Sequence, residues 1–292
     1  MGVRGGVGKK LRGLTRGVLH NSRRDPFAGA VVAVTGAGSG IGRQVALELS
    51  RRGAKLALAD IDSTAADETR RLCSGPGEVE VSRLDVRDRS AVEAFAAATV
   101  ARFGRADMLV TAAGVLHVGS VESTPADQFA TVMDINFWGV VHSVSAFLPH
   151  LRSAAPSRIV VLSSALGLAG VADHAPYAAS KFAVRGFAES LRLELLPARV
   201  SVTAVYPGGV HTSIARSALH APDVDLPDMI DRFEHHVART TAPAAAQAIL
   251  TGAERRRPRV LIGADAVFAD VAARTAGPQY HRLIRLASVL AD

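Results

Sequence analysis

At 292 residues, 48% of them hydrophobic, the chain has the length of one large α/β domain or two small ones and is too apolar for general disorder. A single cysteine, Cys73, excludes an internal disulfide and a cysteine-based metal site, and no apolar run approaches the ~18 residues of a membrane-spanning helix. The net charge of +7 is not a nucleic-acid signal: seven of the 34 basic residues precede the first acidic one, Asp25, and the 27 left match 27 acidic residues.

Those seven (Arg4, Lys9, Lys10, Arg12, Arg16, Arg23, Arg24) lie on an arm over residues 1–28, expected to be disordered because its six glycines oppose a stable helix. Leu11, Leu14 and Val18 share one helical face, so a peripheral membrane contact is the alternative use of the arm. Arg23-Arg24 leads straight into a strand pattern rather than an export signal, and the myristoylation pattern fails at Gly6, so the expected compartment is cytoplasmic. Strand patterns then cover 31–36, 55–60, 80–86, 108–114, 158–164, 200–208 and 259–263, and helical ones 41–52, 88–103, 126–152 and 177–196. Several strand patterns are nearly continuous in Val, Ile, Leu and Ala, as strands covered on both faces must be. Such alternation predicts one doubly wound α/β domain over 29–265, a parallel sheet with helices on both faces. Residues 211–240, with Pro222 and Pro227, break the rhythm and read as a substrate loop at the carboxyl ends of the strands. Residues 266–292 read as a C-terminal helical extension, two amphipathic helices parted at Gly277-Pro278.

The first strand ends in TGAGSGIG, residues 35–42. Glycines that follow a buried strand and open a helix let the backbone approach a pyrophosphate, which then sits on the helix N-terminus. Alone, the motif is equally a tight strand-to-helix turn. Asp60 adds weight, because it ends the second strand eighteen residues after Gly42, where a carboxylate accepts hydrogen bonds from a ribose. As a helix cap, Asp62 or Ser63 is better placed. Tyr177 and Lys181, in YAASK, share one face of any helix they occupy. By themselves they read as an exposed helix pair.

In order along the chain stand TGAGSGIG, Asp60, LDV (84–86), Asn136 in NFWG, LSS (162–164), YAASK (177–181) and YPGGVHT (206–212). On these motifs the sequence resembles the short-chain dehydrogenase/reductase family over residues 29–265. The resemblance implies a seven-stranded parallel Rossmann-type sheet and a nicotinamide cofactor. It also implies a catalytic set of Asn136, Ser164, Tyr177 and Lys181. Ser164 is preferred to Ser163 because the family's serine lies thirteen residues before its tyrosine. The implied cofactor contacts are Gly36, Ser39, Gly40, Ile41, Gly42, Asp60, Asp85, Val86, Ala113 and Gly114, then Tyr177, Lys181, Pro207, Gly208, Val210 and Thr212. Among these, Asp85 would accept from the adenine amino group, and Pro207 to Thr212 would cover the nicotinamide. A homodimer or homotetramer through helices 126–152 and 177–196 is implied too. One departure is Thr111-Ala112-Ala113-Gly114 where the family has NNAG, which predicts retained binding with altered local hydrogen bonding.

The chemistry gives each residue a task. A phenol with a pKa of ~10 is a poor base at neutral pH, and an ammonium one helical turn away, with the positive nicotinamide ring, favours the phenolate. Lys181 has donors left for the ribose hydroxyls, and Ser164 would hydrogen-bond the substrate oxygen. In the family's proposal Asn136 holds a water that links Lys181 to solvent. The expected activity is hydride transfer between a nicotinamide and a secondary alcohol or ketone, with NAD preferred to NADP because Asp60 opposes a 2′-phosphate. Arg43 is the nearby cation that would oppose that preference. Alternatives are an NADPH-dependent ketone or 3-oxoacyl reductase and, from another class, a cofactor-binding regulator without turnover. Ile214, Leu219, Leu226, Met229, Ile230 and Phe233 suggest an apolar small-molecule substrate. No metal is expected, since the ten histidines lack ligand spacing. No nucleic acid is expected either, because ERRRPR at 254–259 lacks interleaved aromatics.

Overall fold

The computed structural model describes residues 25–283. The strands are β1 (Val31–Thr35), β2 (Lys55–Asp60), β3 (Val79–Arg83), β4 (Met108–Thr111), β5 (His117–Val118), β6 (Ser157–Leu162), β7 (Val200–Pro207), β8 (Val210–His211), β9 (Leu219–His220), β10 (Thr240–Thr241) and β11 (Arg259–Ile262). Seven of them form one sheet in the order β11-β7-β6-β4-β1-β2-β3, with every neighbouring pair parallel. Two short pairs, β5 with β9 and β8 with β10, stand apart from it. The helices are α1 (Gly40–Arg51), α2 (Ser63–Leu72), α3 (Arg89–Phe103), α4 (Ala126–Met133), α5 (Gly139–Ser153), α6 (Ala175–Leu195), α7 (Leu226–Arg232), α8 (Ala242–Glu254) and α9 (Ala264–Thr275).

Every residue of β1 and β4 is buried, as the unbroken apolar runs VVAVT and MLVT require. Side chains alternate across the sheet, so Val32, Val34, Leu56, Leu58 and Met108 meet Val45 and Leu49 of α1 and Ile249 of α8 on one face. Ala33, Leu109, Ile159 and Val161 meet Phe95 of α3, Phe147 and Leu151 of α5 and Leu191 of α6 on the other. Each fully buried Leu, Ile or Phe contributes roughly 1.5–3 kcal/mol, so this two-sided core fixes the sheet as a rigid platform. The chain builds β1, β2 and β3 in one direction and returns to β4, β6, β7 and β11 in the other. The reversal lies between β1 and β4, and a crevice opens at the carboxyl ends of the strands there.

Three boundaries differ from the sequence expectation. Strand β3 ends at Arg83, so Asp85 and Val86 sit in the following loop. The helix expected over 126–152 is α4 and α5 joined by a π-helical turn, Asp134–Trp138, which contains Asn136. One extra residue per turn redirects side chains, and such turns recur at functional sites. The arm expected over 1–28 ends sooner, because Phe27 is fully buried. The guanidinium groups of Arg52 and Arg158 lie 4.5 and 5.4 Å from the centre of its ring, and Arg52 also pairs with Asp25 at 2.7 Å. The rest of the arm, residues 1–24, and positions 284–292 of the expected last helix lie outside the described residues. Helix α9 buries Ala266, Ala269 and Ala272 against the domain. Among the described residues no helix is long and apolar enough to cross a membrane.

Candidate active site

The glycine loop between β1 and α1 is dictated by steric limits. Gly36 has φ +69°, and a Cβ there would strike the backbone at Ala113; one at Gly42 would strike the Gly36 carbonyl. Ser39 takes the N-cap position of α1 in extended geometry, yet its side chain makes no capping hydrogen bond. The start of this helix is thus uncapped by a side chain, and Ser39, Ile41 and Gly42 line a cavity there, an arrangement that suits an anion.

A cavity of about 800 Å³ runs along the carboxyl ends of the strands. Its β2–β3 end is lined by Asp60, Asp62, Asp85 and Arg87. Asp60 accepts from the Gly38 amide at 2.7 Å and from the Asp62 amide at 3.0 Å. Asp62, not Asp60, caps α2 by accepting from Ala65 N. Asp85 is paired with Arg87 at 2.6 Å, and that hydrogen-bonded guanidinium holds its carboxyl below the usual range. Arg43 is spent elsewhere: it donates to Gly38 O at 2.9 Å and to Glu68 at 2.7 Å.

The centre of the cavity brings together Ser164, Tyr177 and Lys181. Ser164 follows β6, and its hydroxyl accepts from the Leu166 amide at 3.2 Å. Tyr177 and Lys181 sit in the first turns of α6, where Pro176 suits the helix start, and are 7% and 5% exposed. Lys181 Nζ donates to Leu162 O at 3.2 Å and lies 5.5 Å from the centre of the Tyr177 ring. Burial pushes the Tyr177 phenol up, while its hydrogen bond with Ser164 pulls the other way. Burial alone brings Lys181 down to about 8. In the protein alone, the enclosure that surrounds both groups disfavours phenolate and ammonium alike, a cost that opposes the expected bias of Lys181 and the nicotinamide ring toward phenolate.

Asn136 is fully buried behind the cavity rather than on its wall. Its side chain pairs with Val115 like a peptide group, donating to Val115 O at 2.9 Å and accepting from Val115 N at 2.8 Å, and it donates to Ser180 at 3.0 Å. A Cβ on Gly114 would lie 3.0 Å from Asn136 Oδ1 and 3.4 Å from Lys181 Nζ, so Gly114 keeps these two groups in close quarters.

The remaining expected contacts divide. Gly36, Ser39, Ile41, Gly42, Val86, Ala113, Gly114, Pro207, Gly208, Val210 and Thr212 line the cavity. Gly40 does not; it has φ +50° and backs onto Thr212, with a Cβ there 3.2 Å from the threonine Cβ. In the departure from NNAG, Ala112 packs over the Gly42 position, and the buried hydroxyls of Thr111 and its cross-strand partner Thr35 lack a hydrogen-bond partner. Part of the cavity wall is apolar, formed by Leu116, Leu166, Val171, Ile214, Phe233 and Val237, and His174 also lines the cavity. Sequence reasoning gave no role to His174, Arg87, Gly38 or Asp265, all of which line the cavity. Only Gly38 carried a signal, its place inside TGAGSGIG.

Residues 30–223 match the short chain dehydrogenase family, to which the chain belongs. It is 42% identical over 261 residues to SadH of Mycobacterium tuberculosis, named as an oxidoreductase, spanning 88% of this chain and 95% of that one. It is 35% identical to human 17-beta-hydroxysteroid dehydrogenase type 1 over 72% of this chain and 64% of the relative. A solved short chain dehydrogenase/reductase from Burkholderia phymatum, in complex with NAD, superposes with a TM-score of 0.78 at 28% identity, covering 89% of this chain and 96% of that one.

Proposed function

We propose that the protein is a nicotinamide-dependent oxidoreductase that interconverts a secondary alcohol and a ketone on an apolar substrate. The observation that carries this reading is that Ser164, Tyr177 and Lys181 line one cavity together with a glycine loop and a set of apolar side chains. The residues present fit a dinucleotide. Gly36 and Gly42 leave no room for a Cβ, the Ser39 side chain is unspent at the start of α1, and Asp60 offers carboxylate oxygens at the cavity edge. The NAD complex of the Burkholderia phymatum relative supports the same assignment. When bound, the nicotinamide supplies the hydride donor or acceptor.

The chain's own residues handle the proton. Tyr177 gives it to, or takes it from, the substrate oxygen through its phenol, and Ser164 orients that oxygen with its hydroxyl. Lys181 biases the phenol and offers donors to a ribose. Asn136, with its amide committed to Val115 and Ser180, acts by holding the loop after β4 against α6. Asp60 favours NAD over NADP, and a regulator without turnover is disfavoured by the intact Ser164, Tyr177 and Lys181 set. The apolar wall favours a bulky lipophilic alcohol, and the steroid-dehydrogenase relative agrees with that class. Association through α4, α5 and α6 is part of the proposal, supported by exposed Trp138 on the π-helical turn between α4 and α5 and exposed Phe182 and Leu193 on α6; light scattering tests it, with a strict monomer counting against it. A screen of secondary alcohols and ketones, followed by nicotinamide absorbance, tests the activity. Turnover of none of them, together with no cofactor binding, would overturn the reading.

A further inference from the structure

Among the described residues four carboxylates line the cavity, and three of them, Asp60, Asp62 and Asp85, belong to the β2–β3 end. The fourth, Asp265, comes from the first turn of α9 and reaches the opposite end, beside the carboxyl ends of β7 and β11. There it accepts from the Gly209 amide at 2.6 Å. A Cβ on Gly208 or on Gly263 would run into the Asp265 carboxylate, so both glycines make room for this one side chain.

The segment it grips is held from every other side as well. Gly208 N donates to Ile262 O at 2.8 Å, and Gly209 O accepts from Arg239 N at 3.2 Å and Thr240 N at 3.1 Å. A Cβ on Gly209 would strike Val237 O. Gly208 and Gly209 are thus the junction where the last strand of the sheet, α9 and the end of the substrate segment meet. Asp265 is the charged member of that junction and makes no ion pair among the described residues. A carboxylate with one amide donor and no countercharge leaves its negative field on the cavity wall.

We propose that Asp265 is a positioning residue for the nicotinamide end of the cavity: it fixes the Gly208–Gly209 turn, and its unpaired charge there favours the cationic, oxidised ring over the reduced one. This inference rests on the nicotinamide reading given above. The two parts separate chemically. A hydrogen-bond acceptor suffices to hold the turn, whereas discrimination between redox states of the cofactor needs the charge.

The test measures Kd of wild type, Asp265→Asn and Asp265→Ala for NAD and for NADH by titration calorimetry, with the melting temperature of each free protein. Asp265→Asn keeps an acceptor for Gly209, so it is expected to hold NADH within about twofold of wild type while weakening NAD roughly three- to tenfold. Asp265→Ala is expected to weaken both, on the order of tenfold for NADH. An Asp265→Asn variant with an unchanged ratio of NAD to NADH affinity overturns the proposal, and so does an Asp265→Ala variant that binds both as wild type does. If Asp265→Ala fails to fold, the ratio in Asp265→Asn decides alone. Wild type that binds neither cofactor overturns the nicotinamide reading and this inference with it, an outcome distinct from the other two.

Discussion

Lys181 Nζ lies 5.5 Å from the centre of the Tyr177 ring, and both side chains are almost wholly enclosed. At that separation in a poorly screened site each charge state governs the other. An ammonium favours phenolate, yet burial raises the phenol and lowers the ammonium. The phenol therefore rests protonated beside a lysine that loses its proton near pH 8, and a further positive charge entering the cavity would shift the balance toward phenolate. Ser164 is the other group that acts on the phenol, by hydrogen bonding to it.

On the proposed function, Tyr177→Phe removes the proton carrier and little else. Expected is a loss of more than about tenfold in kcat, with the cofactor Kd within about twofold of wild type, because the interaction is made in the transition state. Steady-state kinetics and equilibrium titration check both. Retention of more than about a tenth of wild-type activity removes the proton-transfer role.

Lys181→Met should trade activity for stability. The folded-state value of Lys181 is about 8, below the ordinary 10.5 of lysine. A depressed lysine contributes stability above its unfolded value and loses that contribution as pH falls through the folded one. Across pH 10.5 to 8, wild type should therefore weaken relative to Lys181→Met, by a few kcal/mol at most since each pKa unit is ~1.4 kcal/mol. Urea unfolding of both proteins at pH 7.5 and pH 10.5 measures it. Equal differences at the two pH values would remove the buried-charge account.

Much of this site was legible because its geometry is set by local rules. Gly36 and Gly42 are forced by backbone contacts within one strand-turn-helix unit, and the four-residue step from Tyr177 to Lys181 is a helix property. The sheet was legible because strands buried on both faces leave unbroken apolar runs. What escaped notice arrives by tertiary packing. Asp265 lies 56 residues from the amide it holds, and Asn136 sits on a π-helical turn that no periodicity announces. His174 had no ligand spacing or motif to single it out, and it reaches the cavity because α6 begins there. The cost of ionising the Tyr177 phenol was hidden for a similar reason: neighbours in sequence set the attraction, but enclosure by the whole fold sets the opposing cost.

Gly42→Ala should be severe because the added Cβ would strike the Gly36 carbonyl, with the Ala112 Cβ 3.2 Å away on the other side. The rigid elements on both sides leave no flexible side chain to yield. Overpacking of this kind costs roughly 1–3 kcal/mol, and the displaced loop should lose most cofactor affinity. Thermal melts and calorimetric titration check the two effects, and wild-type values in both would show that the loop adapts.

Cofactor choice turns on Asp60. Its carboxylate is anchored by the Gly38 and Asp62 amides at the cavity edge, where a 2′-phosphate would meet negative charge with limited screening. Arg43, the cation that follows the glycine loop, is already committed to Gly38 O and Glu68, and Arg87 is committed to Asp85. Neither is free to receive a phosphate without breaking an ion pair. Expected is a preference for NAD over NADP of at least ~tenfold in kcat/KM, or ~1.4 kcal/mol. Asp60→Ala should shrink that preference while weakening NAD itself, since the two amides lose their acceptor. Ile61→Arg, at an exposed position on the same wall, should reverse it by supplying the missing cation. Parallel kinetics with both cofactors on the three proteins decide the matter. Equal use of NAD and NADP by wild type would sink the argument, because an anchored carboxylate at the ribose site cannot be indifferent to a phosphate placed against it.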